Sequence, residues 1–348
     1  MRLLVIMKRN LDQSLAEQRN ARYLHMIEIY KHAGFEPYLS YAESIDDIKL
    51  SLNNHLPDLV LCGIDHLPEN GCNISHNVHA WFEEHNVNYI GSDYKVIELA
   101  LSKGLLKQKW QTYGIRTPVF GLIREEPEEC NEDIESLLSL NAFPYILKPE
   151  NLGNSRGIDE NSIVWNEAEL RKALDKMRLQ FGGVILAEHY LGASADFREI
   201  TCAMIEGSSG MLFMPAEVSL VEPKRFHIIT TRDKDKKGTI ANPLDADTAA
   251  SFLPFAERVF AIAGVRDYSR GDFILADGEF WAIEINGQPM IPDQWFSSAA
   301  RFAGLSEEKY LVGIAASGYR RLKAEGRLAK VFPKEAQALL KGTKLEVL

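Results

Sequence analysis

Residues 270–286 constrain this chain more tightly than any other stretch. They read Arg270-Gly271-Asp272-Phe273-Ile274, then Ala276-Asp277-Gly278, then Phe280-Trp281-Ala282-Ile283-Glu284-Ile285-Asn286. Two apolar, β-prone runs flank an Asp-Gly, which predicts a hairpin. Glu284 and Asn286 are two apart and share one strand face. Asp272 joins that face only if the loop is odd in length or a strand is bulged. A regular two-residue loop sends it to the opposite face. The plain alternative is a surface hairpin with its polar face in water. Trp281, Ile283 and Ile285 around Glu284 argue instead for burial on at least one face, and buried carboxylates need partners. Two carboxylates and an amide oxygen on one face suit a hard cation.

The chain has 348 residues, enough for two or three domains. Its net charge is −10 with both signs interspersed, which disfavours a nucleic-acid or anionic-membrane surface. No apolar run approaches the length of a membrane span. Met1–Lys8 is too short in apolar core for a signal peptide and reads as a first strand. Cys62, Cys72, Cys130 and Cys202 show no CxxC spacing, so reduced thiols of a cytoplasmic protein are expected, and no zinc site.

The first ninety or so residues alternate strand and helix: strand Leu3–Met7, helix Ala16–His32, strand Pro37–Ser40, helix Ile45–Asn53, strand Leu59–Cys62, helix Val78–Glu84, strand Tyr89-Ile90. This predicts an α/β unit with a parallel sheet. No GxGxxG follows the first strand, which disfavours a dinucleotide. One long helix is expected over about Lys95–Tyr113. Strand and helix then alternate through 118–181, and Gly182-Gly183 is a break. Beyond it the pattern is strand-rich, with Met211–Met214 a short strand and one helix over Phe252–Ala263. The charged C-terminal part from Glu307 is expected to be a solvated helical layer. Three domains are predicted, 1–96, 97–182 and 183–348.

Pro144–Pro149 is a short apolar strand that carries Lys148 at its end, and a loop with Gly153 and Gly157 follows. Such a loop lets backbone N–H groups approach phosphate oxygens, and a terminal lysine adds charge for them. Lys103 and Lys107 lie four apart on one helix face, a spacing that solvated lysines also show. Val184–Glu188 is an apolar strand ending in a carboxylate, for which a purine amine is the functional partner and an exposed strand end the plain one. Asp196, Arg198 and Glu199 read equally well as edge-strand charges.

In order, these features are a lysine helix, strand–Lys–Gly loop, strand–Glu, then Arg270-x-Asp272 and Glu284-x-Asn286. The chain resembles the ATP-grasp superfamily, and within it the D-alanine–D-alanine ligase family of carboxylate–amine ligases, from Leu3 to about Gly304. The resemblance implies an ATP-grasp fold of three domains, with ATP and two Mg2+ ions (or Mn2+) as cofactors. It implies that Lys107 and Lys148 hold ATP phosphates and that Ser155 and its loop cover them. Glu188 would accept from adenine, with Ala187 and Tyr190 near the base, and Asp196 would bind the ribose. Asp272, Glu284 and Asn286 would be the metal ligands, and Arg270 would stabilise a tetrahedral intermediate. Asp12 and Ser14 match a first-substrate site, and His66 matches a histidine after the third strand. The resemblance also implies amino-acid substrates and a homodimer.

The chain departs from the family at Asn154 and Arg156. It departs again in the 224–241 segment, where Arg232, ahead of Lys234, is expected to take the place of a phosphate-binding lysine. After Asn286, Ser297 or Ser298 would have to replace a substrate-binding serine. ATP use is therefore better supported than D-alanine as substrate. The expected activity is an ATP- and Mg2+-dependent ligase joining an amino-acid carboxylate to an amine through an acyl phosphate. The alternatives are D-alanine–D-alanine ligase itself and a non-catalytic ATP-binding scaffold.

Overall fold

The computed structural model describes residues 1–9, 13–68, 75–153, 155–235 and 238–347, with the backbone alone for 13–16 and 235. Asp12 and Asn154 lie outside the described residues, as does the side chain of Ser14.

Three larger sheets organise the chain. The first is parallel, in the order Glu36–Ala42, Arg2–Lys8, Leu59–Cys62, Tyr89–Ile90. Its central strand is an unbroken apolar run, Leu3–Met7, as a strand covered on both faces requires. Tyr23, Met26 and Tyr30 of the helix Gln13–His32 cover one face. Ile45, Ile48, Val78 and Phe82 cover the other.

The second sheet is antiparallel, in the order Phe120–Ile123, Ile185–His189, Tyr145–Pro149, Ile163–Val164. Tyr145, Leu147, Ile185 and Ala187 point to one face. There they pack on Ile134 and Leu137 of the helix Pro127–Ser139 and on Leu170 and Leu174 of the helix Glu167–Phe181. Ile146, Lys148, Leu186 and Glu188 point the other way.

The third sheet has five antiparallel strands, in the order Thr239–Pro243, Gly210–Leu220, Arg198–Gly207, Tyr268–Ala276, Glu279–Asn286. Phe252, Val259 and Phe260 of the helix Ala246–Ala263 seal one face against Ile200, Phe273 and Ala282. On the other face, Ala203, Ile205, Met214 and Tyr268 pack against the helices Gln294–Phe302 and Glu307–Ala324. The opposite end of that face carries Glu199, Asp272 and Glu284.

Several expectations need correction. The expected helix over 95–113 is two helices, Tyr94–Leu101 and Lys103–Thr112, broken at Ser102. The Glu150 carboxylate accepts from Ser102 Oγ (2.9 Å) and Gly104 N (2.8 Å), capping the second helix where the first ends. The strand expected over Met211–Met214 runs from Gly210 to Leu220. The strand Thr239–Pro243 and the small hairpin His66–Pro68/Ser75–Asn77 were not expected.

The C-terminal helix Glu307–Ala324 is not a solvated layer. Tyr310 through Tyr319 are buried between the first and third sheets. Arg321 ties it in place through the fully buried Asp267 (2.7 Å), which also accepts from Gly91 N at the end of the first sheet (2.8 Å).

Candidate active site

The hairpin turns through Asp277 and Gly278 alone, with φ of +54° and +72°. Both residues are in the left-handed region, as the tight two-residue hairpin turn requires. Regular pairing from Ala276↔Glu279 to Phe273↔Ala282 would place Glu284 on the face opposite Asp272. A bulge prevents this: Ile283 is an extra residue, and the next pair is Asp272↔Glu284, followed by Arg270↔Asn286. The bulge, not an odd loop, brings these four residues to one face. Across the next strand pair, Thr201 sits opposite Asp272 and Glu199 opposite Ile274, which adds both to that face.

Asp272 is held firmly. Its Oδ1 accepts from Thr201 Oγ1 (2.8 Å) and Arg270 Nε (3.2 Å), and its Oδ2 from Arg270 Nη2 (3.1 Å). Arg270 Nη1 donates to Asp293 Oδ2 (3.0 Å). Glu284 has no hydrogen bond or ion pair among the described residues. Asn286 is exposed, and its Oδ1 accepts from Gln288 N (3.3 Å). Burial, reinforced by Asp272, pushes the Glu199 carboxyl up to about 7. Asp272 and Asp293 share the single guanidinium of Arg270 while Glu284 is unpaired among the described residues, so carboxylates outnumber their paired cations in this corner.

Lysines face it from the second sheet and the broken helix. Lys148 and Lys103 line a cavity of about 120 Å3 together with Glu188, Glu199, Asp272 and Glu284. Lys103 Nζ donates to the carbonyls of Glu150 (3.0 Å) and Leu152 (2.8 Å), fixing the start of the glycine loop. Its pKa is lowered, chiefly by burial. Lys107 is not solvated. It is 1% exposed and donates to Thr117 Oγ1 (2.9 Å), with Glu188 Oε2 at 3.0 Å. Lys148 bonds the other Glu188 oxygen. Burial alone would raise the Glu188 pKa, but the two ammonium groups outweigh it and hold this carboxyl below its ordinary range.

The rest of the cavity wall is largely apolar, with Pro118, Ile146, Tyr190, Leu191, Ile228 and Ile274 prominent. Phe226 and Ile228 press a strap of chain against Ile146 and Tyr190, and Phe197 stacks on His227 at 4.7 Å. Ser155, in the left-handed region at φ +55°, lines both this cavity and an adjoining cleft of about 970 Å3.

Several expected site residues are placed differently. Glu188 faces a lysine with each oxygen, Lys148 bonding Oε1 and Lys107 lying 3.0 Å from Oε2, which accepts no hydrogen bond among the described residues. Ala187 points into the core on the far face of its strand. Asp196 is exposed at the hairpin turn, where its carboxylate accepts from Ser194 Oγ (2.5 Å) and from the N–H groups of Asp277 and Gly278 (both 2.7 Å). Arg232 lines the larger cleft, whereas Lys234 lines the cavity. His66 pairs with Glu98 at 2.7 Å and does not line the cavity. Ser297 hydrogen-bonds the Tyr310 hydroxyl (2.9 Å) on a packed helix. Sequence reasoning missed Glu199 as a site residue, although its two-residue spacing to Thr201 places both on one face. It also missed Asp293 and Trp295, which an Asp before an apolar helical run marks only as a helix cap.

Residues 109–314 match the family model described as D-ala D-ala ligase C-terminus. A D-alanine–D-alanine ligase of Ralstonia pickettii is 26% identical over 247 residues, covering 70% of each chain. One from Streptococcus equi is 28% identical over 263 residues, covering 72% of this chain and 71% of the relative. The solved D-alanine–D-alanine ligase of Bacillus anthracis complexed with ATP superposes with a TM-score of 0.71 at 19% identity, over 94% of this chain and all of that one. The VanG D-Ala:D-Ser ligase of Enterococcus faecalis superposes with a TM-score of 0.67 at 17% identity, over 91% of this chain and 99% of its own.

Proposed function

The chain belongs to the D-ala D-ala ligase C-terminus family, ATP-dependent carboxylate–amine ligases of the ATP-grasp fold, and from that premise we propose that it joins an amino-acid carboxylate to an amine through an acyl phosphate, with Mg2+. The observation that carries this reading is convergence on one cavity. Lys103 and Lys148 face Asp272 and Glu284 across it, with Arg270 on the same sheet face.

The donor set suits Mg2+. Asp272, Glu284 and Asn286 offer oxygen only, and in their corner carboxylates outnumber their paired cations. The ions would supply positive charge to the phosphate oxygens and polarise the phosphorus. Lys148, Lys103 and Lys234 reach the same space and take the triphosphate. The apolar wall of Ile146, Tyr190, Leu191 and Ile274 suits a base, and Glu199 replaces Asp196 as the carboxylate available to the ribose. The Ser155 loop and the strap around Ile228 cover the phosphates and keep water from the acyl phosphate. The cavity is below the roughly 300–1,000 Å3 of ordinary ligand pockets, so strap and loop give way on binding.

A carboxylate oxygen attacks the γ-phosphorus and ADP leaves. A neutral amine then attacks the acyl carbon, the C–O bond to phosphate breaks, and the nitrogen loses a proton. Arg270 keeps two N–H groups for the oxyanion that forms between these events. Glu284→Gln tests the site: phosphate release falls by more than about a hundredfold while the melting temperature stays close to wild type. Activity within a few-fold of wild type would remove Glu284 from the metal site.

A further inference from the structure

Arg270 and Asp293 adjoin Trp295, which walls one end of the cavity, and we propose that this pair excludes a free carboxylate there, so the acceptor amine belongs to a molecule whose own carboxylate is absent or masked, such as an amino-acid amide. This rests on the ligase reading. Two features of that end ordinarily attract an anion: an arginine fork and the N-terminus of the helix Gln294–Phe302. Asp272 holds the arginine's fork, and Asp293 takes its remaining arm together with the helix N-terminus. Asp293 Oδ1 accepts from Trp295 N (2.7 Å) and Phe296 N (2.9 Å), and its Oδ2 from Arg270 Nη1 (3.0 Å).

The charge of Arg270 is taken up without the substrate. It bonds Asp272 through Nε and Nη2 and Asp293 through Nη1. A substrate carboxylate would meet Asp293 as a like charge in a half-buried corner, where charges are weakly screened. The neighbouring wall is the buried indole of Trp295. Its faces carry Arg270 at 5.1 Å and Lys234 at 4.9 Å from the ring centre, and its Nε1 donates to Thr239 Oγ1 (3.3 Å). Lys234 also lines the cavity, where its charge faces the Glu199 carboxyl. The end wall therefore suits an uncharged or apolar group beside the amine. Arg270 retains N–H groups for a transient oxyanion, so the pair filters substrates without disabling chemistry.

The test compares alaninamide with alanine, both enantiomers of each, on the full-length protein with Mg2+. Turnover is read with ATP and with alanine supplying the acyl carboxylate in every arm, as dipeptide amide formed against dipeptide formed, and binding by ligand-observed NMR with a non-hydrolysable ATP analogue. Asp293→Asn keeps the helix cap, because asparagine caps as well as aspartate, but removes the charge. We expect the wild type to favour the amide at least tenfold in binding or kcat/KM. We expect Asp293→Asn to reduce that ratio at least tenfold by admitting alanine, a change of preference that loss of packing alone does not produce. Equal or better use of alanine by the wild type overturns the proposal. So does an unchanged ratio in the variant, or binding of neither compound. A tenfold ratio in binding with no phosphate release would support the filter and contradict the ligase reading.

Discussion

Single side chains decide where charge sits in this molecule. His79 is fully buried beside Phe82 and Tyr89, with the Gln288 side chain as its polar neighbour and no well-formed hydrogen bond to either ring nitrogen among the described residues. Burial lowers its pKa from 6.5 to about 3. Between those values the unfolded chain binds a proton that the folded chain does not, so stability falls as pH falls through that window. The slope from this group approaches about 1.4 kcal/mol per pH unit. Denaturant unfolding between pH 7 and pH 4 should show that loss in the wild type and a shallower one in His79→Phe; identical slopes would contradict the burial argument. Legibility at this scale was uneven. Asp272, Glu284 and Asn286 were readable because side chains alternate along a strand, and the need for a bulge followed from the Asp-Gly turn. The partners of Glu188 were not readable, because they depend on how a helix and two strands pack. The contact of Asp196 with the hairpin turn was not readable either, because order along the chain does not fix the direction in which its carboxylate turns.

At the scale of elements, the helix Glu307–Ala324 matters most. Its charges cluster at the ends, Glu307 to Lys309 and Arg320 to Lys323, while the ten residues Tyr310–Tyr319 between them carry none. Charge at its ends made it look solvated; the uncharged middle is what the fold uses. Gly318 lets the helix approach the first sheet. A Cβ there would lie 2.8 Å from Ile90 Cγ1 and 3.3 Å from its Cα. Gly318→Ala should therefore destabilise the protein by about 1–3 kcal/mol, although alanine is the better helix former. An unchanged or higher melting temperature would mean that the contact relaxes freely. The break at Ser102 was likewise hidden, because its cause, the Glu150 cap, comes from 48 residues away.

At the scale of the whole molecule, the second and third sheets face each other across one small cavity, and the first sheet stands apart from it. The alternation of strand and helix was legible in the sequence, and so was the order of lysine, glycine loop and carboxylates. Which faces meet was not, since it is set by helices far along the chain. A chain of net charge −10 nevertheless gathers Lys103, Lys148 and Lys234 in one place, opposite carboxylates that outnumber their own partners. That arrangement makes sense if triphosphate and cations come between them. The central claim is that a carboxylate oxygen is transferred to phosphate on the way to an amide. It is tested most directly by turnover with an acid labelled with oxygen-18 in its carboxylate, followed by mass spectrometry of the released phosphate. The account predicts one labelled oxygen in each phosphate, with release that needs both acid and amine. Unlabelled phosphate, or no release with any acid and amine, would contradict it.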